Sequence, residues 1–289
     1  MEIIIGKLAG FCGGINSAVS KTEKLLVDKE KIYCLGELTH NKQVMEKLEK
    51  SGLIVIEKLE DIENNTEVIF RAHGMPKNAY DEAKKRNIKV YDCTCPRVLA
   101  LHEQIEKESK KGKYIFLLGE EGHPEIVGTM GFADKNNLFL LQTINDVENA
   151  IKDLLASKRT ELYILSQTTF SLRKFDEIVE KIIQKLEKKG IDIEINNSIC
   201  EATELRQKET EKISQIVDYM IIIGGKNSSN TRKLYEISEK NCKNAIHIET
   251  KDELKNIDFS NYKKIGIMAG ASTPKSSIAG VKEYLNELT

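Results

Sequence analysis

The sequence predicts an α/β fold of three similar units, each built on a mostly parallel sheet. Three observations predict it. Strand-like apolar runs alternate with helix-spaced segments along almost the whole chain. Runs such as Tyr114-Ile115-Phe116-Leu117-Leu118 and Tyr219-Met220-Ile221-Ile222-Ile223 are apolar without interruption, the mark of strands covered on both faces. No linker rich in Pro, Ser or Gly divides the chain, so the units are expected in close contact.

In order, Ile3-Ile4-Ile5 reads as a strand that leads through a glycine turn into a helix carrying Ile15, Val19 and Leu25. Then come a strand Ile32 to Leu35, a helix through Val44, Met45 and Leu48, and strands Leu53 to Ile56 and Val68 to Phe70. A helix from Asn78 to Arg86 precedes the strand Ile88 to Tyr91. The second set comprises a helix from Val98 to Lys111, the Tyr114 strand, Leu138 to Leu141, a helix around Val147, Ile151 and Leu154, and Leu162 to Leu165. A helix from Phe175 to Lys188 is expected to end at Gly190 as its C-cap, followed by the strand Ile191 to Ile195. A helical pattern from Thr203 opens the third set, with strands Tyr219 to Ile223, Ala245 to Ile248 and Ile265 to Met268. The expected domains are 14–96, 97–195 and 196–289, with 1–13 joining the third. No repeat is detectable in the sequence itself.

At 289 residues and 40% hydrophobic, the chain can bury a core sized for two or three domains. Its 44 basic and 45 acidic residues leave a net charge of -1, so no global field favours nucleic acid or an anionic membrane. An anionic ligand must therefore be captured locally. Met1-Glu2-Ile3 is too short an apolar start for a signal peptide, and no run approaches the roughly 20 apolar residues that span a bilayer. A cytoplasmic protein is expected. In that compartment six cysteines suit metal binding or catalysis better than a disulfide framework.

Three of those cysteines are placed alike. Cys95 stands between a strand and a helix whose first position suits Pro96, Cys12 follows Ile3 to Ile5 among Gly10, Gly13 and Gly14, and Cys200 follows Ile191 to Ile195. One strand-end thiol in each third of the chain suggests a common metal centre. Cys34 reads as an ordinary strand residue and Cys242 as an ordinary helix or loop residue; Cys93 is an additional thiol beside Cys95. Three thiolates without a fourth protein ligand suit a 4Fe-4S cluster with one open iron, and zinc is the competing metal.

Ligands of parallel α/β sheets collect at the carboxyl ends of strands. The strand-end loops here carry His40, His73 and His123, three of the five histidines, together with Ser166 to Thr169, Gly224 to Asn230 and Ala269 to Ser272. His102 and His247 fall inside a helix and a strand and read as structural. Backbone N–H groups at a helix start, with the hydroxyls of Ser228 and Ser229 and the amide of Asn230, make a cradle for phosphate. Neither G-x-x-x-x-G-K-[ST] nor G-x-G-x-x-G is present, which argues against an NTPase or a nicotinamide oxidoreductase. The donors around an open metal position suggest an anionic, hydroxyl-bearing substrate, and Glu125 is placed to act as proton donor.

Taken together, Gly10-Phe11-Cys12, Thr39-His40-Asn41, Ala72-His73-Gly74, Thr94-Cys95-Pro96 and Gly122-His123-Pro124-Glu125 form a recognisable set. It continues with Gln167-Thr168-Thr169, Ile199-Cys200 with Ala202-Thr203, Lys226 to Asn230, and Ala269-Gly270-Ala271-Ser272. In this order, over essentially the whole chain, the strings closely resemble the LytB (IspH) family of 4-hydroxy-3-methylbut-2-enyl diphosphate reductases. The resemblance implies the last step of the methylerythritol phosphate route: reductive dehydroxylation of an allylic diphosphate to isopentenyl and dimethylallyl diphosphates. It implies a trefoil of three α/β domains around one 4Fe-4S cluster per chain, held by Cys12, Cys95 and Cys200. It implies a diphosphate pocket of His40, His73, His123, Ser228, Ser229, Asn230 and Ser272, with Glu125 as acid, Thr168 holding the substrate hydroxyl and His123 relaying or orienting the proton. A one-electron donor such as ferredoxin or flavodoxin, and a monomer, complete the expectation. Ala9 departs from the arginine common in the family's first motif, and Cys93 adds a thiol beside a ligand position.

Overall fold

The computed structural model describes residues 1–288. In chain order the elements are β1 Glu2–Ile5, α1 Gly13–Asp28, β2 Ile32–Leu35, α2 Lys42–Lys50, β3 Leu53–Ile56, β4 Glu67–Phe70, α3 Lys77–Lys85, β5 Lys89–Asp92 and α4 Pro96–Lys110. Next are β6 Tyr114–Leu118, α5 Pro124–Met130, β7 Leu138–Leu141, α6 Val147–Ala156, β8 Glu161–Ser166, α7 Leu172–Leu186 and β9 Asp192–Ile195. The last are α8 Glu201–Ser214, β10 Tyr219–Ile223, α9 Ser229–Asn241, β11 Ala245–Ile248, β12 Lys264–Ala269 and α10 Lys275–Glu287. Among the described residues no helix is long and apolar enough to cross a membrane.

The strands form three four-stranded sheets, ordered β3-β2-β4-β5, β7-β6-β8-β9 and β1-β12-β10-β11. Every pairing in the last two is parallel, as are β2 with β4 and β4 with β5. This is the α/β architecture read from the unbroken apolar strands. The three orders are one order. In the first two sheets the strands run second, first, third, fourth along the chain. The third sheet, read as β11-β10-β12-β1, repeats that sequence when the N-terminal strand β1 counts as its fourth. In each sheet the strand order reverses between its first and third strands, the point beyond whose carboxyl ends α/β sheets commonly bind ligands.

The burial pattern explains why the strands lack alternation. In the second sheet Tyr114, Phe116 and Leu118 pack with Val147, Ile151, Phe175 and Ile182 of α6 and α7, whereas Ile115 and Leu117 pack with Leu101, Ile105 and Ile126 of α4 and α5. Both faces are core. The chain divides into two compact units: 1–31, 37–53 and 201–289, which holds the sheet containing β1, and 32–36 with 54–200, which holds the other two sheets apart from Leu53.

Three differences from the sequence expectation concern helices. Helix α7 starts earlier, at Leu172, because the Ser171 side chain accepts from the Lys174 N–H and caps it. It ends at Leu186, with Lys188 already left-handed at φ 66°, so Gly190 at φ 69° belongs to the turn into β9 and is not the cap. Helices α5 and α10, which follow Pro-containing turns, have no counterpart in the sequence expectation.

Candidate functional site

In the first unit the site residues lie on loops after β12, β10 and β1 and on the turn into α2. Cys12 caps α1, its Sγ accepting from the Ile15 N–H at 3.5 Å, and its own N–H donates to Ala271 O at 3.0 Å. That bond ties the Cys12 loop to the loop carrying Ser272. The Ser272 hydroxyl in turn donates to His40 O at 3.3 Å. His40 precedes α2, whose first turn is capped by the Asn41 side chain accepting from Val44 N–H. Gly225 packs on the same carbonyl so tightly that a Cβ there would lie 2.3 Å from His40 O, and only glycine fits.

Beyond Gly225, Ser228 caps α9 by accepting from the Thr231 N–H. Ser228, Ser229 and Asn230 are all buried, at 5%, 2% and 3% exposure. Both polar atoms of the Asn230 amide lack a hydrogen-bond partner among the described residues. Such a group costs about 1–3 kcal/mol unless a ligand or water satisfies it. A buried amide and two hydroxyls at a helix N-terminus suit a phosphate oxygen.

The second unit carries an unbroken line of contacts between two cysteines. Cys95 occupies the N-cap position of α4 and donates its N–H to Ala72 O at 3.0 Å, next to His73. The His73 and His123 rings meet edge to face at 5.8 Å. His123 caps α5, its Nδ1 accepting from the Glu125 N–H at 3.1 Å, which places the ring proton on Nε2. Glu125 accepts from Thr168 twice, the N–H reaching Oε1 at 2.6 Å and the hydroxyl Oε2 at 2.7 Å. Thr168 O then accepts from the Cys200 N–H at 2.9 Å. Asp92 steadies the Cys95 turn by accepting from Thr94 N–H at 2.8 Å and from the Tyr80 hydroxyl at 3.0 Å.

Glu125 is 2% exposed. Burial pushes its carboxyl up from 4.5 to about 7, against the smaller downward pull of the two Thr168 bonds. A carboxylic acid half-protonated near neutral pH is suited to general acid work. His102, read as structural, is buried against Phe132 with its rings stacked at 4.4 Å, and burial lowers its pKa to about 4.

The six cysteines carry no disulfide and fall into two groups. Cys34, Cys93 and Cys242 are buried, and burial pushes the Cys34 thiol up to about 12, with Cys93 adding to it. Cys12, Cys95 and Cys200 are partly exposed, and each immediately precedes a helix. Among the described residues no three His, Cys, Asp or Glu side chains converge as ligands of a single ion. In a cluster each thiolate binds its own iron, so its ligands need not converge on one point. Three accessible thiols, each before a helix N-terminus that favours negative charge, fit such a donor set.

Residues 3–286 match the family model described as LytB protein. The chain belongs to the LytB family. Among curated LytB relatives, the 4-hydroxy-3-methylbut-2-enyl diphosphate reductase of Petrotoga mobilis is 41% identical, with 99% of this chain and 98% of that one aligned. The enzyme of the same name from Aquifex aeolicus is 38% identical over 100% and 97%. A solved structure described as the E-1-hydroxy-2-methyl-but-2-enyl-4-diphosphate reductase of Plasmodium falciparum superposes with a TM-score of 0.88 at 30% identity, covering 100% of this chain and 88% of that one. A second, titled as the terminal enzyme of the non-mevalonate pathway, gives 0.69 at 37% identity, covering 99% and 100%.

In this LytB chain the sequence reading quoted Gln167 without giving it a role and passed over Arg206. Gln167, fully buried, accepts from Glu120 N–H at 3.0 Å and donates to Thr169 Oγ1 at 2.9 Å, fixing the loop that presents Thr168. Arg206 lies on the buried face of α8 with Thr203, Thr210 and Ile213. A charged residue in the buried phase of a helix was the available signal.

Proposed function

We propose that the chain is a 4-hydroxy-3-methylbut-2-enyl diphosphate reductase. It converts its substrate to isopentenyl and dimethylallyl diphosphates as the last step of the methylerythritol phosphate pathway. The observation that carries the reading is the buried Glu125–Thr168 pair, a poised acid joined to a hydroxyl on the loop next to Cys200. Full-length membership of the family supports it.

Cys12, Cys95 and Cys200 would hold one 4Fe-4S cluster. When bound, such a cluster supplies single electrons and a Lewis acid at the iron without a protein ligand. The electrons come from a carrier such as ferredoxin or flavodoxin, and the protein works as a cytoplasmic monomer. Overall an allylic C–O bond breaks, two electrons and two protons are taken up, and the hydroxyl leaves as water.

The chain's own residues handle the anion and the proton. His40, His73, His123, Ser228, Ser229, Asn230 and Ser272 donate to the diphosphate. Dense donors are required because the chain has no net positive charge. Hydroxide is a poor leaving group and must be protonated as it departs. Thr168 Oγ1 can accept from one neighbour while donating to another, so it links the substrate hydroxyl to Glu125 Oε2. Glu125 gives the proton, and His123 holds the first turn of α5, where Glu125 sits. Anaerobic purification with iron and sulfide analysis, followed by turnover of the allylic diphosphate with a one-electron reductant, tests the reading. Cluster content near zero after reconstitution would refute it.

A further inference from the structure

Segment 7–10, which leads into Cys12, is gripped from one helix. On α8, Glu209 accepts from the N–H groups of Lys7 and Leu8 at 2.8 and 2.9 Å, and Arg206 donates to Gly10 O at 3.0 Å. Positions 206 and 209 are three apart and share a helix face. The same Arg206 donates through its other terminal nitrogen to Ala202 O at 2.8 Å. Its two carbonyl partners are therefore the residue two before Cys12 and the residue two after Cys200. Two residues of chain reach at most about 7 Å, so the guanidinium lies close to both cysteine backbones.

Arg206 is 4% exposed, an expensive place for a charge that is not retained for packing alone. We propose that Arg206 is a positioning residue for the cluster: its fork holds the Cys12 loop against the turn that follows Cys200, and its charge favours the reduced state. The inference rests on the iron–sulfur reading of the same cysteines. Two carbonyls at a fixed separation suit the planar fork of arginine, and a lysine supplies the charge without that geometry. The partly buried Glu209 carboxylate on the same helix face is bound by the N–H groups of Lys7 and Leu8.

The test compares wild type, Arg206→Gln and Arg206→Lys, each purified anaerobically. Iron and sulfide content, the rate of cluster loss to a chelator, and the midpoint potential from a redox titration followed by electron paramagnetic resonance are measured. Losing a charge-assisted hydrogen bond predicts roughly tenfold or faster cluster loss in Arg206→Gln, together with a lower midpoint potential. Arg206→Lys should restore the potential toward wild type yet lose its cluster faster, and it carries the test if the Gln variant does not fold. A wild-type potential in Arg206→Gln overturns the proposal whatever its cluster lifetime; if Gln does not fold, a wild-type rate of cluster loss in Arg206→Lys overturns it. A wild-type protein that takes up no cluster on reconstitution overturns it together with the reading beneath it.

Discussion

Thr168 gives both of its donors to one buried carboxyl, its N–H to Glu125 Oε1 at 2.6 Å and its hydroxyl to Oε2 at 2.7 Å. The contact joins the loop after β8 to the start of α5. Thr168→Val keeps the first bond and removes the second. Turnover should fall roughly ten- to a hundredfold, the worth of one hydrogen bond to a charged group. Because that bond pulls the Glu125 pKa down, the alkaline limb of the pH–rate profile should move to higher pH. A profile unchanged in height and position would refute the linkage.

Glu125→Gln keeps the shape and removes the proton. A positioned acid contributes about 10²- to 10⁴-fold, so turnover should drop at least about a hundredfold while cluster content and substrate affinity stay at wild-type levels. Near-normal turnover with an intact cluster would assign the proton to another group.

The raised Glu125 pKa has a sign in stability as well. The folded protein holds the proton more tightly than the unfolded chain, so the stabilising contribution is complete below 4.5 and is lost as pH rises through about 7. The loss is roughly 3 kcal/mol for a shift of this size. Denaturant unfolding at pH 5 and pH 8 should show Glu125→Gln gaining on wild type at the higher pH. Equal gains at both pH values would show that Glu125 titrates as an ordinary surface carboxyl.

The proposed function puts Ser228 and Asn230 on the diphosphate. Asn230→Ala and Ser228→Ala should each weaken substrate binding by roughly ten- to a hundredfold, measured by calorimetry on the anaerobic protein. Unchanged affinity in both would remove the α9 N-terminus from the diphosphate pocket.

Much of the fold was legible because the central strands are covered on both faces. Ile115 and Leu117 face one layer of helices, Phe116 and Leu118 the other, and the sequence records this as a run without polar breaks. The common strand order was not legible. It depends on β1 pairing with β12, more than 250 residues away, which no local pattern encodes. Short α5 was missed because seven residues with Gly128 inside give little periodicity. Its first turn nevertheless carries Glu125, whose burial raises the carboxyl pKa to about 7. The strand-end loops stood out in the sequence by their His, Ser, Thr and Gly content. The contacts within them did not, because bonds such as Cys200 N–H to Thr168 O or Ser272 hydroxyl to His40 O join segments distant in sequence.

The most direct measurement is the iron and sulfide content and the turnover of six single Cys→Ser variants prepared anaerobically. Cys12→Ser, Cys95→Ser and Cys200→Ser should each lose the cluster and the activity. Cys34→Ser, Cys93→Ser and Cys242→Ser, which change buried thiols, should keep both. A Cys200→Ser protein with full cluster occupancy and turnover would contradict the assignment of the three strand-end thiols as the metal centre.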